Sequence, residues 1–275
     1  MSTYSKEHIE YLKKRKKEKR IVCFFRLLII VCFLIAWELL SRFELINTFL
    51  SSSPTKVIET TYQLFQDKTL FTHIGVTLYE VFISFSIATI LGFIIATILW
   101  SNKIIAKVVD PYLTILNSLP KVALGPLIII WVGASTNSII FMALLISTFV
   151  TIITIYQGFS QTNKSYITLL KSFGATKWQI FIKVVLPSNI PTLISALKIN
   201  ISMSLIGVIM GELLVSKSGL GYLIMYGSQV FNINLVITGV VILGIISYIM
   251  YFIIDLLEIY SCLLYTSPSP RDGAT

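Results

Sequence analysis

Long apolar runs alternate with short polar connections along most of the chain, and one connection breaks the pattern. A helix needs about 20 mainly apolar residues to cross the hydrocarbon core of a bilayer. Six segments reach that length: Ile21 to Leu40, Val76 to Trp100, Leu113 to Val132, Ser138 to Tyr156, Pro191 to Val215 and Leu235 to Leu257. They predict an all-α integral membrane protein of about six transmembrane helices. The third segment is the least regular, with Pro120, Gly125 and Pro126 close together. Proline removes a backbone donor and kinks a helix; in a membrane this is tolerated where the freed groups find protein or water. The segment therefore reads either as a broken helix lining a translocation path or as a kink absorbed by its neighbours. Lys121 beside it either faces such a path or snorkels to the interface.

The exceptional connection, residues 164–187, lies between the fourth and fifth spans. Tyr166, Leu169, Leu170 and Phe173 fall at i, i+3, i+4 and i+7, and Trp178, Phe181, Ile182 and Val185 repeat that spacing. Each set forms one apolar stripe on a helix. Gly174 suits a helix end that turns through a left-handed conformation. Thr176 followed three residues later by Gln179 reads as a capping box opening a second helix, and Pro187 ends the pair. Two short amphipathic helices meeting at a glycine are expected. On pattern alone they are either an interfacial hairpin lying on the bilayer or a docking element for the groove of a soluble partner.

Composition supports the membrane reading. The 275 residues are 55% hydrophobic and 13% charged, with a mean hydropathy of +0.84; soluble domains carry about 25% charged residues. The net charge of +9 would suggest nucleic acid in a soluble protein. Here, however, Lys13, Lys14, Arg15, Lys16, Lys17, Lys19 and Arg20 crowd before the first span, where basic residues mark the cytoplasmic flank. No nucleic-acid partner is expected. With that flank inside, both termini are cytoplasmic. The inside loops then carry Lys103, Lys107, Lys164, Lys171, Lys177 and Lys183, against Arg42, Lys56, Lys68 and Lys217 outside. Cys23, Cys32 and Cys262, with His8 and His73, show no metal or disulfide spacing. Glu38, Glu80, Glu212 and Asp255 all read as lying toward span ends, within reach of headgroup water. That weighs against an ion-coupled secondary carrier, which more often places ionisable groups at the midplane. A membrane-embedded enzyme would need a polar acid–base cluster at one depth, and none is visible.

The connection resembles the cytoplasmic EAA loop of ABC importer permeases, written E-A-A, three residues, G, nine residues, I-x-L-P. Gly174 is followed after nine residues by Val184-Val185-Leu186-Pro187, and the triplet falls on Thr168, Leu169 and Leu170, whose letters differ. Leu205 to Leu214, Ser218-Gly-Leu-Gly-Tyr-Leu-Ile224, Asp110-Pro-Tyr through Leu127, and Ile130-Trp-Val-Gly133 resemble the branch handling nitrate, taurine, aliphatic sulfonates and bicarbonate. The likeness covers roughly residues 54–258. It implies a type I ABC importer permease (MetI-like) fold in the bacterial inner membrane. The implied assembly is a homodimer with an ABC ATPase dimer beneath and an extracytoplasmic solute-binding protein above.

ATP and Mg would be used by that ATPase, since this chain has no GxxxxGK[ST] phosphate loop and no residue expected to be catalytic. The implied cargo is a small anionic solute, with a thiamine pyrimidine precursor as the alternative inside the family. Thr168, Leu169, Leu170, Lys171, Phe173, Gly174, Ala175, Leu186 and Pro187 would form the ATPase-coupling loop. Pro120, Lys121, Gly125, Pro126, Glu212, Gly219 and Gly221 would belong to the path or its gate, although the two glycines also suit a tight loop needing backbone reach. The chain thus divides into a basic tail at 1–20, a permease domain at 21–258 containing the loop 164–187, and a segment 259–275. That last segment, rich in serine and proline, resembles translated adapter sequence and is expected to be non-native.

Overall fold

The structure, a computed structural model, describes residues 6–43 and 51–265. Regular structure among them is helical throughout. Helix α1 (Lys6–Arg42) leads to α2 (Pro54–Gln66), α3 (Thr69–Ser101), α4 (Lys103–Ser118), a 3-10 turn (Lys121–Leu124), α5 (Gly125–Val132) and α6 (Thr136–Gln161). Then come the short α7 (Lys164–Ser172) and α8 (Lys177–Ile180), the latter running through a wide π turn (Phe181–Val185) and one further turn (Leu186–Ser188). The described residues end with α9 (Ile190–Val215), α10 (Leu220–Gln229) and α11 (Ile233–Tyr265).

Five stretches are long and apolar enough to cross a bilayer: Lys14–Arg42, Thr69–Ser101, Thr136–Gln161, Ile190–Val215 and Ile233–Leu256. The sixth candidate is the pair α4 and Lys121–Val132, which meet at a bend of 80°. The expected third span, Leu113 to Val132, is therefore not one rod. Leu119 leaves the helix with φ −64° and ψ 139°, the extended conformation that a following proline enforces, and Pro120 then opens the 3-10 turn. Three elements were not foreseen. Helix α2 is capped by the Ser53 hydroxyl, which accepts the Lys56 N–H at 3.3 Å, with Pro54 in its first turn. Helix α4 starts before the expected span, and α10 follows the Gly219 turn. Helix α11 continues to Tyr265, beyond the boundary expected at 258, while 266–275 lie outside the described residues.

Helices α3, α6 and α9 form the centre, because small residues let their backbones approach. A Cβ on Gly92 would lie 2.6 Å from Thr151 Cγ2, and one on Gly211 would lie 2.9 Å from Ile139 Cα. One on Gly207 would strike the Ala143 backbone. Between apolar helices in lipid, such close packing replaces the hydrophobic drive that water would supply. Polar ties reinforce it. Buried Asn200 donates from Nδ2 to the Phe85 carbonyl at 3.1 Å and to Thr89 Oγ1 at 2.7 Å, joining α9 to α3. Lys198 of α9 pairs with both Asp255 and Glu258 of α11 and lies over the Tyr251 ring. At the other end of the chain, the Glu38 carboxylate accepts from Arg42 Nε and from Thr55 Oγ1, each at 2.8 Å, linking α1 to α2.

The small-residue contacts generate a paired expectation. Gly207→Val inserts bulk where Ala143 already sits and should destabilise the detergent-solubilised protein by about 1–3 kcal/mol. Gly75→Ala, where a Cβ meets nothing within 4 Å, should be neutral or stabilise by up to about 1 kcal/mol. Melting temperatures of the two variants, measured side by side, check the contrast.

Candidate functional site: an anchored helical hairpin

The chemistry of the 164–187 connection starts with its turn. In α7, the Gly174 N–H donates to the Lys171 carbonyl at 2.9 Å and the Ala175 N–H to the Leu170 carbonyl at 3.0 Å. These two bonds define a Schellman ending, and Gly174 takes the left-handed φ of 76° that it requires. The Asn163 side chain caps the start of α7, accepting the Ser165 N–H at 2.9 Å. Two residues past the glycine, the capping box forms: Gln179 N–H donates to Thr176 Oγ1 at 3.3 Å, and Thr176 N–H donates to Gln179 Oε1 at 2.8 Å. Both helix ends that meet at the turn are thus satisfied within a few residues, so the turn angle is fixed locally.

The hairpin is then rooted in the bundle. Phe181 is 2% exposed. Its ring meets Phe159 edge-on at 5.3 Å, Trp100 at 5.2 Å and Phe93 at 6.5 Å, while Trp178 stacks on it at 5.5 Å. Ile180, Val185, Ala96, Ile155 and Ala196 complete this cluster. Buried Asn189 adds a polar pin, donating from Nδ2 to Thr162 Oγ1 at 2.7 Å and to the Val185 carbonyl at 2.8 Å. Phe181 was legible only as one position of an apolar stripe. Its importance comes from partners on α3 and α6 that are remote in sequence.

The expected coupling residues separate into two sets. Leu170 and Ala175, together with Ile167, pack inward on the aromatic cluster. Leu169, Tyr166 and Phe173 turn outward, and Phe173 is 78% exposed. Thr168 and Lys171 are exposed, and Leu186 and Pro187 sit half-buried in the turn leading to α9. The single stripe expected on α7 is therefore divided, one edge holding the helix and the other left bare.

The expected path and gate residues lie away from the hairpin. Pro120 and Lys121 occupy the break, where Lys121 Nζ donates to Asn117 Oδ1 at 3.0 Å and stands 5.5 Å from the Phe149 ring centroid. Gly125 is buried, and a Cβ there would come within 2.6 Å of Leu214 Cδ1 on α9, whereas Pro126 is exposed. Glu212, Gly219 and Gly221 do come together. Gly219, at φ 115°, opens α10. Its N–H donates to His73 Nδ1 at 3.0 Å, the Leu220 N–H donates to Thr77 Oγ1 at 2.9 Å, and the Gly221 N–H donates to Glu212 Oε2 at 2.5 Å. Thr77 in turn donates to Glu212 Oε1 at 2.6 Å. His73, Thr77 and Glu212 thus share the free N–H groups of a helix start, and a Cβ on Gly219 would collide with the Glu212 carboxyl group.

Glu212 and Glu80 are each 1% exposed, which corrects the expectation that headgroup water reaches them. Helix α3 begins at Thr69, ahead of the expected Val76, and so carries Glu80 into the packed interior. Thr77 escaped the sequence reading and His73 was weighed there only as a metal ligand, although they sit one and two helical turns before Glu80 on α3.

These features describe a multi-pass helical bundle with a rooted hairpin between two of its candidate spans. Residues 88–259 match the family described as binding-protein-dependent transport system inner membrane component, and the chain belongs to that family, whose members are transport subunits of ABC importers in the inner membrane. It is 32% identical to the "Probable ABC transporter permease protein" of Haemophilus influenzae over 83% of this chain and 93% of that one. It is 30% identical to the formylaminopyrimidine transport permease protein ThiX of Halalkalibacterium halodurans, covering 72% and 77% of the two chains. With the nitrate import permease protein NrtB of Synechocystis it shares 25% identity over 83% and 86%. Among solved structures, a chain of the inward-facing MetNI methionine ABC transporter superposes with a TM-score of 0.62 at 20% identity, over 69% of this chain and 94% of that one. A chain of a bacterial alginate ABC transporter gives 0.62 at 15% identity, over 90% and 98%. The MetI-like permease fold is therefore established.

The anchoring predicts its own test. Phe181→Ala empties the centre of the aromatic cluster and should cost about 3–5 kcal/mol. It should release the hairpin while the long spans stay inserted. Faster hydrogen exchange across 164–187 than across α6, relative to the unaltered chain, is the expected reading.

Proposed function

We propose that the chain is the path-forming permease of an ATP-driven importer, working as a homodimer. In this reading the α7–α8 hairpin faces the cytoplasm and docks on an ABC ATPase dimer, which binds ATP and Mg. A solute-binding protein delivers cargo from the other side, and both chain termini are cytoplasmic. The observation that carries this reading is the division of the α7 stripe. Leu170 and Ala175 lock the helix to the bundle, and Tyr166, Leu169 and Phe173 stand bare beside them. A hairpin lying passively on a bilayer needs an apolar face but no rigid root. A part that must pass movement from a soluble motor into membrane helices needs both. The outward set, with Gly174 fixing the turn, is thus the docking surface, and the inward set is the lever's fulcrum.

The cargo we infer is a small anion of the nitrate, taurine or sulfonate kind. Support comes from likeness to the taurine transport system permease protein TauC of Escherichia coli, at 22% identity, and to the nitrate permease. Lys121 at the break of the third span offers a positive charge for such a solute. The likeness to the formylaminopyrimidine permease supports a second reading, a neutral pyrimidine precursor of thiamine moving through the same machinery.

Recovery of the chain from native membranes in mild detergent, with co-purifying proteins identified by mass, tests the assembly. An ABC ATPase is the expected companion, and repeated recovery of the chain alone would overturn the reading in favour of a self-contained carrier. Two variants sharpen it. Phe173→Asp should weaken ATPase capture roughly tenfold or more, because a bare aromatic anchor contributes about 1.5–3 kcal/mol when covered. Gly174→Pro removes the N–H that closes the Schellman turn and forces φ near −65°. It should abolish uptake while the protein still inserts; normal uptake would sink the coupling role.

A further inference from the structure

A second feature of the hairpin end is independent of the docking stripe. Between the α3–α4 corner and the inner side of α7 lies an open cavity of about 780 Å³. Five lysines line it: Lys103 and Lys107 from α4, Lys164, Lys171 and Lys177 from the hairpin. No aspartate or glutamate lines it, and none of these lysines forms an ion pair among the described residues. The floor is apolar, including buried Leu99, Ala106, Phe159 and Ile180. Half-buried Trp100 and Tyr156 stand at its wall, the residue types that settle at headgroup level.

We infer that this cavity holds the phosphate headgroup of an anionic phospholipid from the leaflet on the hairpin side. Five like charges gathered around one space repel one another, and a phosphodiester neutralises them while accepting several N–H bonds. A basic pocket between spans at the cytoplasmic surface has the chemistry for an acidic headgroup. The geometry favours a lipid over a soluble anion because the cavity continues onto an apolar ramp. Helix α4 leaves Ile104, Val108 and Tyr112 exposed alongside it, giving acyl chains a surface that an inorganic anion would not need. A lipid seated there touches both α4 and the hairpin, and so braces the hairpin against the bundle. Placing the lipid in the inner leaflet rests on the orientation proposed above, whereas binding itself does not.

The test uses the full chain in nanodiscs of phosphatidylcholine, titrated with phosphatidylglycerol, with retained lipid read by native mass spectrometry. The unaltered chain should retain phosphatidylglycerol in preference to phosphatidylcholine. Combined Lys103→Gln, Lys107→Gln and Lys171→Gln should weaken that retention roughly a hundredfold. Lys56→Gln with Lys68→Gln and Lys217→Gln, remote from the cavity, should leave it unchanged, and the arginine versions of the first three should restore it. In the unaltered chain, phosphatidylglycerol with brominated tails should quench tryptophan fluorescence, and Trp100→Phe should lose part of that quenching. That measurement does not depend on the charge-neutral variant folding. Equal retention by the neutralised and unaltered chains would overturn the inference, as would equal retention of phosphatidylcholine. Displacement of the lipid by millimolar inorganic phosphate would overturn it too, reassigning the cavity to a soluble anion. Because nanodiscs hold no ATPase, a missing ATPase partner and a missing lipid site give separable results.

Discussion

The functional geometry depends on one buried ring. Phe181 sits where α3, α6 and the chain leaving the hairpin converge, and its contacts with Phe93, Trp100, Phe159 and Trp178 are what prevent α7 and α8 from hinging freely. Each aromatic pairing contributes about 0.5–1.5 kcal/mol beyond the area it buries, so the cluster outweighs the thermal energy available to a short two-helix loop. The π turn at Phe181–Val185 belongs to the same arrangement. Such widened turns are frequent at functional positions; here the turn holds both Phe181 and Val185 in the buried cluster while the chain swings toward α9.

This anchor works only because the bundle beneath it is itself unyielding. The close approaches at Gly92, Gly207 and Gly211 leave no slack between α3, α6 and α9, and a lipid-exposed exterior offers no water to drive repacking. Asn200 fixes α9 to α3 laterally, and the Lys198–Asp255–Glu258 group fixes α9 to α11. Exposed apolar side chains along α1, such as Phe24, Ile29 and Phe33, are ordinary in this solvent, where the informative features are polar groups and small residues.

Much of this was readable from the chain. Hydrophobic run length located five of the spans, because lipid permits few alternatives to a helix of that length. The Gly174 ending and the Thr176–Gln179 box were legible because both are closed by neighbours within a few residues. Legibility failed where the determining partner is distant. The stripe on α7 could not reveal that Leu170 faces Phe181's cluster while Leu169 faces out, since periodicity gives a face but not what covers it. Glu80 read as interfacial because its span was started at Val76, whereas the helix begins at Thr69; Glu212 does lie near the end of α9, but Thr77 and the Gly219–Gly221 backbone cover it, partners that apolarity could not reveal. Helix α10 was read as a loop because its start is specified by Glu212, Thr77 and His73, not by a local cap. Pro120 signalled a break in span three, but its 80° magnitude depends on how α5 packs through Gly125 against Leu214.

Helix α9 gives these separate features a mechanical relation. Its 26 residues span about 39 Å at 1.5 Å per residue. At one end Asn189 ties it to the hairpin's exit and to Thr162; at the other Glu212 accepts the Gly221 N–H of α10. Neither end can shift along the axis without straining a buried hydrogen bond, and the middle is held to α3 by Asn200. Displacement imposed on the hairpin therefore cannot be absorbed locally, since the turn is closed, the root is packed and the helix is continuous. Under the proposed coupling role, α9 carries such a push together with the helices packed on it, and its far end is the one that meets Gly221 through Glu212 and Gly125 through Leu214. A loop that was merely attached to the bundle would dissipate the same push within its own turn.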